Sequence, residues 1–481
     1  MKKTIATIIL LALILGMIIA CGNNSSNEVK DTTTIGGEST EEVKFTLPEY
    51  DFNGYKFNIL TAAEQWIHHY AAERETGDIV NDAAYARNRA VEELYNINLN
   101  YQVYNGYSAG KEAVATALRG AVLADTGEFD LAIINVAYIT GRILEGLFMD
   151  INTVDTIDPE NPWWFDKINN EIAVANKLYT IAGSYSLMWI TNASCLYFNK
   201  KLINDFELES PYELVNSGKW TFDKMVELGS QVCADLNGDG IYDLEDRYGI
   251  FSVGSESLSS MRYAMGTKIT HLDSEGYPVL DGASEKMVTV YDKFRALYQN
   301  KELYYGEYGL DFDGQSAMFS DNKILFLAHT IRLAENPIMR DFEDYGIIPQ
   351  PKFDEIQDSY YANCFGDGYS IPKLVNDENM SGAVLEALNR ESYLNVVPSY
   401  YDIALQRKYT RDDESSAMLD IIRDNCIVDF GGMFYVELTY ELWCIHALIF
   451  NNTDYTTWWA SNEAAIQKNM EKLIEQLKEL Q

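Results

Sequence analysis

Short, uninterrupted apolar runs alternate with helical patterns along this chain, and this alternation most constrains its fold. Residues 130–134 (Asp-Leu-Ala-Ile-Ile) and 324–328 have the length and composition of strands buried on both faces of a parallel sheet. Strands that alternate with helices predict α/β domains. The predicted strands are 55–60, 95–104, 130–134, 178–182, 194–198, 248–251, 324–328, 345–349 and 368–372, and the predicted helices are 74–94, 222–233, 383–388 and a C-terminal segment with Ile466, Met470, Leu473, Leu477 and Leu480 on one face.

Length and charge exclude some classes of protein. The 481 residues, 47% of them hydrophobic, are enough for two or three hydrophobic cores. The formal net charge is −36, from 37 basic and 73 acidic residues. Contacts with phosphates require a basic surface, so we expect no nucleic-acid partner.

The N-terminus indicates export and a lipid anchor. Lys2 and Lys3 precede an apolar stretch over 4–20, and Ile18-Ile19-Ala20-Cys21 follows the pattern of the lipobox of bacterial lipoproteins. An ordinary signal peptide and a membrane-spanning anchor are the alternatives, but the run is short for a spanning helix. We therefore predict a signal peptide over 1–20, a diacylglycerol on Cys21, and a disordered tether over 21–43, which contains almost no apolar residues.

A twelve-residue acidic segment has the pattern of a calcium loop. Oxygen donors fall at loop positions 1, 3, 5, 7, 9 and 12. In that order they belong to Asp235, Asn237, Asp239, the backbone carbonyl of Ile241, Asp243 and Asp246. Gly240 lies at position 6, where we expect a tight turn in which a Cβ would clash. An acidic surface turn is the alternative. Because a strand rather than a helix is predicted at 248–251, this is not a paired calcium hand, and we expect the metal to be structural.

Cysteine and histidine patterns predict no further metal site. After removal of the signal peptide, five cysteines remain at wide spacing, and only 5 histidines occur in the chain. One or two disulfides are possible outside the cell, but free buried thiols are the preferred interpretation. His68 and His69 lack a partner cluster. These cysteines are Cys195, Cys233, Cys364, Cys426 and Cys444.

Catalytic and nucleotide-binding signatures are absent from the sequence, whereas aromatic residues are abundant. The chain contains no G-x-S-x-G, H-E-x-x-H or dinucleotide-binding glycine pattern. It contains 33 Tyr and 8 Trp, many of them in predicted loops, where rings can stack on the apolar faces of sugars. Most aromatic residues in any protein are nonetheless core residues.

Several segments, in this order, resemble one known family. They are 75–83 (Glu-Thr-Gly-Asp-Ile-Val-Asn-Asp-Ala), 87–96, 129–150, 196–200 (Leu-Tyr-Phe-Asn-Lys) followed by 219–223 (Lys-Trp-Thr-Phe-Asp), and 368–373 (Gly-Tyr-Ser-Ile-Pro-Lys). Together they are similar to the extracellular solute-binding proteins of ABC importers that serve sugars and oligosaccharides in Gram-positive bacteria. Many members of this family also carry the D-x-N-G-D-G loop.

The resemblance implies a two-lobe α/β fold, the type II periplasmic-binding-protein-like architecture, with a hinge and a ligand cleft between the lobes. We predict one lobe over 44–140 and 366–402, and the other over 141–365 and 403–481, including the calcium loop. Ligand would bridge the lobes and stabilise the closed form of a monomer, which then docks on a membrane permease.

The resemblance also implies where ligand binds, namely in loops at the carboxyl ends of strands. Asn192 lies ahead of the 196–200 segment, where the family often has a polar contact, and Arg332 occupies a position where an aromatic is common, which allows an acidic or hydroxyl-rich ligand. The predicted ligand residues are Trp66, Glu75, Asn135, Tyr138 and Asp367 in the first lobe and Trp189, Asn192, Ser255, Arg262, Arg332 and Tyr435 in the second.

The leading hypothesis is therefore a non-catalytic, lipid-anchored binding protein on the outer face of the cell membrane. A surface glycoside hydrolase or lyase is the alternative, because such enzymes need only two suitably spaced carboxylates among the many present. A calcium-dependent scaffolding protein is disfavoured, because dockerin-type modules carry their loops in pairs and only one loop occurs here.

Overall fold

The computed structural model describes residues 47–480 except 63–66, 105–106, 253, 283, 307–309, 343, 402–412, 439–443, 446 and 449–450. The predicted signal peptide, the tether, Cys21 and Trp66 lie outside the described residues. No helix within the described residues is long and apolar enough to cross a membrane.

The first sheet contains four strands in the described part of the chain, in the order β12-β3-β1-β2. β1 (Tyr55–Thr61) lies parallel to β2 (Ile97–Val103) and to β3 (Leu131–Asn135), whereas β12 (Asp367–Ser370) is antiparallel to β3. The burial of β1 and β3 agrees with their apolar sequences, since Leu60, Ala132 and Ile134 pack with Val114 and Leu118 in one core. Parallel strands covered by helices on their faces bury both of those faces.

The second sheet has five described strands in the order β10-β4-β9-β5-β8. β4 (Ser194–Asn199) is antiparallel to both β10 (Tyr345–Ile348) and β9 (Ile324–Thr330), and β5 (Tyr248–Ser252) is parallel to β9 and to β8 (Tyr304–Tyr305). β4, β5 and β10 are wholly buried, and β9 is buried except for its last residue. The remaining described strands form two small pairs, β6 (Thr270–Leu272) with β7 (Pro278–Leu280) and β11 (Ala362–Asn363) with β13 (Cys426–Ile427).

Helices cover both sheets, and their ends follow capping chemistry. The helix predicted from residue 74 begins later, at Ile79, because the side chain of Asp78 accepts hydrogen bonds from the N–H groups of Val80 and Asn81. The described helices are Ile67–Tyr70, Ile79–Tyr95, Tyr107–Ala124, Val136–Leu144, Asp166–Ile172, Met188–Thr191, Lys200–Asp205, Pro211–Asn216, Phe222–Ser230, Gly254–Ala264, Glu285–Gln299, Phe312–Ser320, Pro337–Asp341, Glu378–Glu391, Asp413–Asp424, Phe430–Met433, Tyr435–Leu438 and Tyr455–Glu479.

The strand predicted at 178–182 is wrong. Only Ile181 pairs in this segment, through an isolated bridge to Tyr369. On either side of it, the backbone N–H groups of Leu178 and Ala182 donate instead to the side chains of Asp150 and Asn169, at 3.0 and 2.7 Å. These side-chain acceptors take the donors that a longer strand would need for its ladder.

The chain passes from the second sheet to the first through residues 362–367, here called the crossing segment. It begins at β11, which pairs with β13, and ends at Asp367, the first residue of β12. The side-chain hydroxyl of Ser194, the first residue of β4, accepts a hydrogen bond from the N–H of Asn363 at 2.9 Å. The crossing segment therefore runs from the start of β4 in the second sheet to the start of β12 in the first.

Candidate functional site

One edge of the first sheet brings together two predicted ligand residues. Asn135 is the last residue of β3 and is paired with Asp367, the first residue of β12. The side chain of Asn135 accepts a hydrogen bond from the N–H of Ala137 at 3.2 Å and so caps the helix that follows. The antiparallel return of β12 thus places a carboxylate beside the carboxyl end of a parallel strand, where α/β proteins commonly bind ligands.

The Asp367 carboxylate is buried and hydrogen-bonded. It accepts a hydrogen bond from the hydroxyl of Tyr70, and burial together with this negative charge holds the pKa of Tyr70 well above its usual value. The backbone carbonyl of Asp367 accepts a further bond, at 2.9 Å, from the indole N–H of Trp189. Asp367 therefore connects the first sheet to the helix Met188–Thr191, which precedes β4.

The short helix before β4 and its C-cap contribute Trp189 and Asn192. The amide of Asn192 donates to the carbonyl of Phe365 at 3.3 Å. The indole of Trp189 lies against Gly366, where an added Cβ would come within 2.7 Å of the ring. We call Trp189, Asn192 and the crossing segment the junction; within it, glycine is required at 366 because the indole occupies the space of a side chain.

Arg332 follows β9, whose last residue, Thr330, pairs with Ser194 at the start of β4. Its guanidinium carbon lies 4.7 Å from the centre of the Phe312 ring, and the ring of His329 meets Phe312 edge-on at 4.8 Å. Burial lowers the pKa of His329 to about 4, so this imidazole is neutral at neutral pH. Nearby, the Glu335 carboxylate accepts a hydrogen bond from the hydroxyl of Tyr400 at 2.7 Å. Among the described residues, the end of β9 therefore offers the Arg332 cation, aromatic faces and acceptors.

The remaining predicted ligand residues are more scattered. Glu75 is exposed in the segment before the helix Ile79–Tyr95. Tyr138 is half-buried against the core of the first sheet. Tyr435 is half-buried in a short helix whose Glu437 accepts a hydrogen bond from Thr140, two residues after Tyr138, at 3.3 Å.

Ser255 and Arg262 both lie in the helix Gly254–Ala264, and only the side chain of Arg262 is described. Arg262 is fully buried, donates to the carbonyl of Thr267 at 2.7 Å and has its guanidinium carbon 4.0 Å from the ring centre of Tyr263. These contacts fix the turn at the end of the helix, and they favour a packing role for Arg262 over ligand contact.

Three side chains at this site are not among the predicted ligand residues. Tyr70 holds Asp367, Phe312 supports Arg332, and Phe365 is 41% exposed in the middle of the crossing segment. Only Phe365 had a signal in the sequence. It is a large aromatic residue directly before Gly366 and shortly before the predicted strand at 368–372, a position typical of a loop that leads into a strand. The other two depend on contacts between distant parts of the chain.

The acidic loop (residues 235–246) is held by its own backbone. The two carboxylate oxygens of Asp235 accept from the N–H groups of Gly238 and Gly240 at 2.6 and 2.8 Å, and Asp239 accepts from the N–H of Ile241 at 2.8 Å. Asp246 is fully buried and accepts from the N–H groups of Leu236 and Asp243. These bonds close the loop upon itself.

The requirement for Gly240 differs from the one predicted. Its φ is +77°, a left-handed conformation that glycine adopts readily, but an added Cβ would meet nothing within 4 Å. The constraint is therefore backbone conformation rather than a steric clash.

The donors of the loop are all oxygens, the kind that calcium prefers, but the carboxylates are turned to backbone N–H groups of the loop and are not arranged as a formed metal site. Within the described residues, no group of three or more His, Cys, Asp or Glu side chains has an arrangement that could hold a metal ion. A carboxylate has about four lone-pair sites, so the loop carboxylates that accept N–H bonds keep further lone pairs for a cation.

Comparison with solved structures identifies the fold. The architecture is that of the two-lobe, maltose-binding-protein-like solute-binding proteins. A sugar transporter from Rhizobium etli, in an open conformation, is 13% identical, matches 88% of this chain and 99% of its own, and gives a TM-score of 0.60. The sugar-binding protein MalE from Xanthomonas citri is 13% identical over 88% and 98% of the chains, with a TM-score of 0.58. The GacH receptor of Streptomyces glaucescens is 11% identical over 88% and 99%, with a TM-score of 0.56.

A family model matches part of the sequence. Residues 75–244 match the model of the bacterial extracellular solute-binding proteins. No curated protein matches the sequence. The resemblance predicted from the sequence segments and the two-lobe α/β fold are both confirmed. The predicted ligand residues, the lobe boundaries and the bound metal stay predictions.

Proposed function

We propose that this protein captures a sugar or oligosaccharide between its two lobes and delivers it to the membrane subunits of an ABC importer. The observation that carries the proposal is the junction, where Trp189 and Asn192, just before β4 of the second sheet, hydrogen-bond to carbonyls of the crossing segment. A ligand that touches both edges stabilises the closed arrangement of the lobes, because only that arrangement supplies both sets of contacts.

The side chains near the junction suit a hydroxylated ligand. The amides of Asn135 and Asn192 can donate to and accept from hydroxyl groups, and Arg332 supplies fixed donors. Phe365 offers an exposed ring on which a sugar can stack. Solved neighbours support this ligand class, since they include proteins described in complex with acarbose, cycloalternan and maltotriose.

Location outside the cytoplasm follows from the family, and we propose in addition that Cys21 carries a lipid that holds the protein at the cell membrane. Cys21→Ser should release the protein from the membrane fraction or leave it unprocessed. Unchanged lipid labelling of this variant would contradict the anchor.

We also propose that the acidic loop binds one structural calcium ion. The all-oxygen donor set and the spacing of Asp235, Asn237, Asp239, Asp243 and Asp246 support this proposal. The ion would neutralise part of a dense negative charge and would restrain the loop.

The test of the transport function is ligand-induced stabilisation of the purified protein by a panel of oligosaccharides. A ligand that binds only the folded state raises the free energy of unfolding by about 2.7 kcal/mol at a hundredfold excess over Kd. Asn192→Ala should weaken affinity by tens-fold, as expected for a lost polar contact worth about 1–3 kcal/mol.

Asn98→Ala is the matched control, because Asn98 is exposed on β2 and likewise donates to a backbone carbonyl, that of Gly54 at 3.2 Å. Equal loss of affinity in both variants would contradict a role for the junction. Release of reducing sugar from any bound glycan would instead favour a glycoside hydrolase or lyase.

A further inference from the structure

A glutamate carboxylate lies between a helix that packs on the first sheet and a helix that is attached to the second. The hydroxyl of Thr140 donates a hydrogen bond that the two carboxylate oxygens of Glu437 share, at 3.3 and 3.4 Å. Thr140 is buried in the helix Val136–Leu144, which follows β3 directly, and Ile139 and Ile143 of that helix pack in the core of the first sheet. Thr140 is therefore fixed to the first sheet.

Glu437 is connected to the second sheet through Asp429. The Asp429 carboxylate accepts a hydrogen bond at 2.5 Å from the hydroxyl of Tyr263, in the helix that follows β5 and hydrogen-bonds to β9. The same carboxylate caps the helix Phe430–Met433, and the next helix, Tyr435–Leu438, contains Glu437. The hydrogen bond that Glu437 accepts therefore joins segments attached to different sheets.

The protein satisfies the Glu437 carboxylate only in part. Burial raises the pKa of Glu437, although its own backbone N–H, the hydroxyl of Thr140 and the positive charge of Arg142 act against this rise. Within the described residues Glu437 forms no ion pair, since Arg142 on the facing helix pairs with Glu112 and Glu145 at 3.2 and 2.6 Å. A carboxylate has about four lone-pair sites, and one shared hydroxyl leaves most of them open. A group that brings further O–H or N–H donors to this half-buried carboxylate is therefore bound favourably.

Glu437 lies within reach of the predicted ligand residues at the edge of the first sheet. Thr140 comes five residues after Asn135, the last residue of β3, which corresponds to about 7.5 Å along the helix axis. Side chains of a helix tilt toward its N-terminus, so the hydroxyl of Thr140 projects back toward Asn135 and its partner Asp367. A ligand of two or more sugar rings at Asn135 can therefore extend to Glu437.

We propose that Glu437 is a specificity-determining residue of the ligand site, where its carboxylate accepts hydrogen bonds from hydroxyl groups of a neutral oligosaccharide. The proposal deepens the proposed transport function and rests on it. Neighbouring hydroxyls supply the donors that the carboxylate lacks, and a ligand that contacts both Asn135 and Glu437 touches segments attached to both sheets. A ligand carboxylate at the same place would meet a like charge and bring no donor, so the site selects against it.

The test measures binding by calorimetry to neutral trisaccharides (maltotriose, cellotriose, mannotriose and galactotriose) and to the same trisaccharides with their hydroxymethyl groups oxidised to carboxylates. We expect wild type to prefer a neutral form. Glu437→Gln should bind that neutral trisaccharide roughly ten- to a hundredfold more weakly, as expected for lost hydrogen bonds to a charged acceptor, and should lose part of the preference over the oxidised form. Glu463→Gln, an exposed glutamate on the helix Tyr455–Glu479, is the control and should bind as wild type does.

Thr140→Val tests the alternative that Glu437 serves only to hold Thr140. We expect Thr140→Val to bind the neutral trisaccharide with nearly the affinity of wild type, because the carboxylate remains, and melting curves without sugar check that each variant folds. Parallel losses of affinity in Thr140→Val and Glu437→Gln, or no loss in Glu437→Gln, would overturn the role of Glu437 and leave the transport function standing.

The preference of wild type is a test in itself and stands even if Glu437→Gln folds poorly. Tighter binding of an oxidised trisaccharide than of its neutral form would overturn the proposed specificity while supporting sugar capture. If wild type bound no carbohydrate at all, the transport function would be contradicted, and the role of Glu437 with it.

Discussion

The acidic loop and the junction are held together in opposite ways. Hydrogen bonds within the loop join residues at most ten positions apart, as in the bond from the N–H of Leu236 to Asp246. Bonds at the junction join residues 173 and 178 positions apart, from Asn192 to Phe365 and from Trp189 to Asp367. The loop is mostly exposed and dense in charge, whereas most of the junction is buried.

This contrast separates two sources of stability. The conformation of the loop depends on local turns and on the balance of negative charge, so ions and screening should dominate its behaviour. The junction depends on apolar burial and on buried hydrogen bonds, so truncation of a side chain should dominate there. Truncation of a buried side chain at the junction should therefore lower the free energy of unfolding more than removal of an ion from the loop does.

The largest effect is expected from Trp189→Ala. Trp189 is 2% exposed, and its ring fills the space beside Gly366. Truncation leaves a cavity and removes the donor to the carbonyl of Asp367, so we expect the free energy of unfolding to fall by about 3–5 kcal/mol. Chemical denaturation measures this change. If Trp189→Ala lowers the free energy of unfolding by no more than a substitution on the surface does, the junction is not a packed core.

A buried carboxylate provides a case between the two regions. Glu386 accepts hydrogen bonds from the side-chain N–H groups of Asn161, Trp163 and Trp164 at 2.6, 3.0 and 3.0 Å, much as the loop acids accept from backbone N–H groups. It is buried, however, and that burial raises its pKa to about 7. The folded protein therefore binds this proton more tightly than the unfolded chain does.

The sign of the pH dependence follows from that raised pKa. Protonated Glu386 contributes on the order of 3 kcal/mol to the free energy of unfolding at acid pH. This contribution decreases as pH rises above the ordinary glutamate pKa, and it is lost above about pH 7. Glutamine at position 386 carries no charge at either pH. The free energy of unfolding of Glu386→Gln, relative to that of wild type, should therefore be higher at pH 8 than at pH 5. Glu378→Gln, an exposed glutamate on the same helix, is the control and should show no such change. A constant difference between Glu386→Gln and wild type would contradict the assignment.

The same contrast explains what the sequence could predict. All predicted ligands of the acidic loop fall within twelve residues, so their spacing alone suggests a metal site. Buried strands such as β3 and β9 are predicted because their apolar runs are continuous. Tyr70 could not be predicted as a partner of Asp367, because its contact joins residues 297 positions apart. The strand wrongly predicted at 178–182 failed for a related reason, since the side chains of Asp150 and Asn169 took its backbone donors.

Removal of calcium should affect the loop and spare the junction. A chelator should lower the melting temperature of wild type, since a bound ion contributes about 2.7 kcal/mol when its free concentration is a hundredfold above Kd. Asp239→Asn keeps an acceptor for the N–H of Ile241 but removes a charge, so it should weaken the response. Asp292→Ala, an exposed aspartate on the helix Glu285–Gln299, should respond as wild type does. If elemental analysis finds no metal in wild type and the chelator does not change its melting temperature, the loop is only a surface turn.

The smallest effect on stability is expected at two exposed aromatic residues, one in the junction and one beside the acidic loop. Phe365 in the crossing segment is 41% exposed, and Phe206, whose ring lies 5.0 Å from the guanidinium carbon of Arg247 just after the acidic loop, is 36% exposed. Because both rings remain partly in water, alanine at either position should lower the free energy of unfolding by less than about 1.5 kcal/mol.

Sugar affinity should separate these two positions. Phe365→Ala removes a ring at the junction on which a ligand can stack, so we expect a loss of about 1–3 kcal/mol in binding free energy, measured by calorimetry with the best ligand of the panel. Phe206→Ala should bind that ligand as wild type does, because its ring lies beside the loop. If both variants lost affinity equally, the effect would come from general destabilisation; if neither did, ligand would contact the junction through its polar groups and not through this ring.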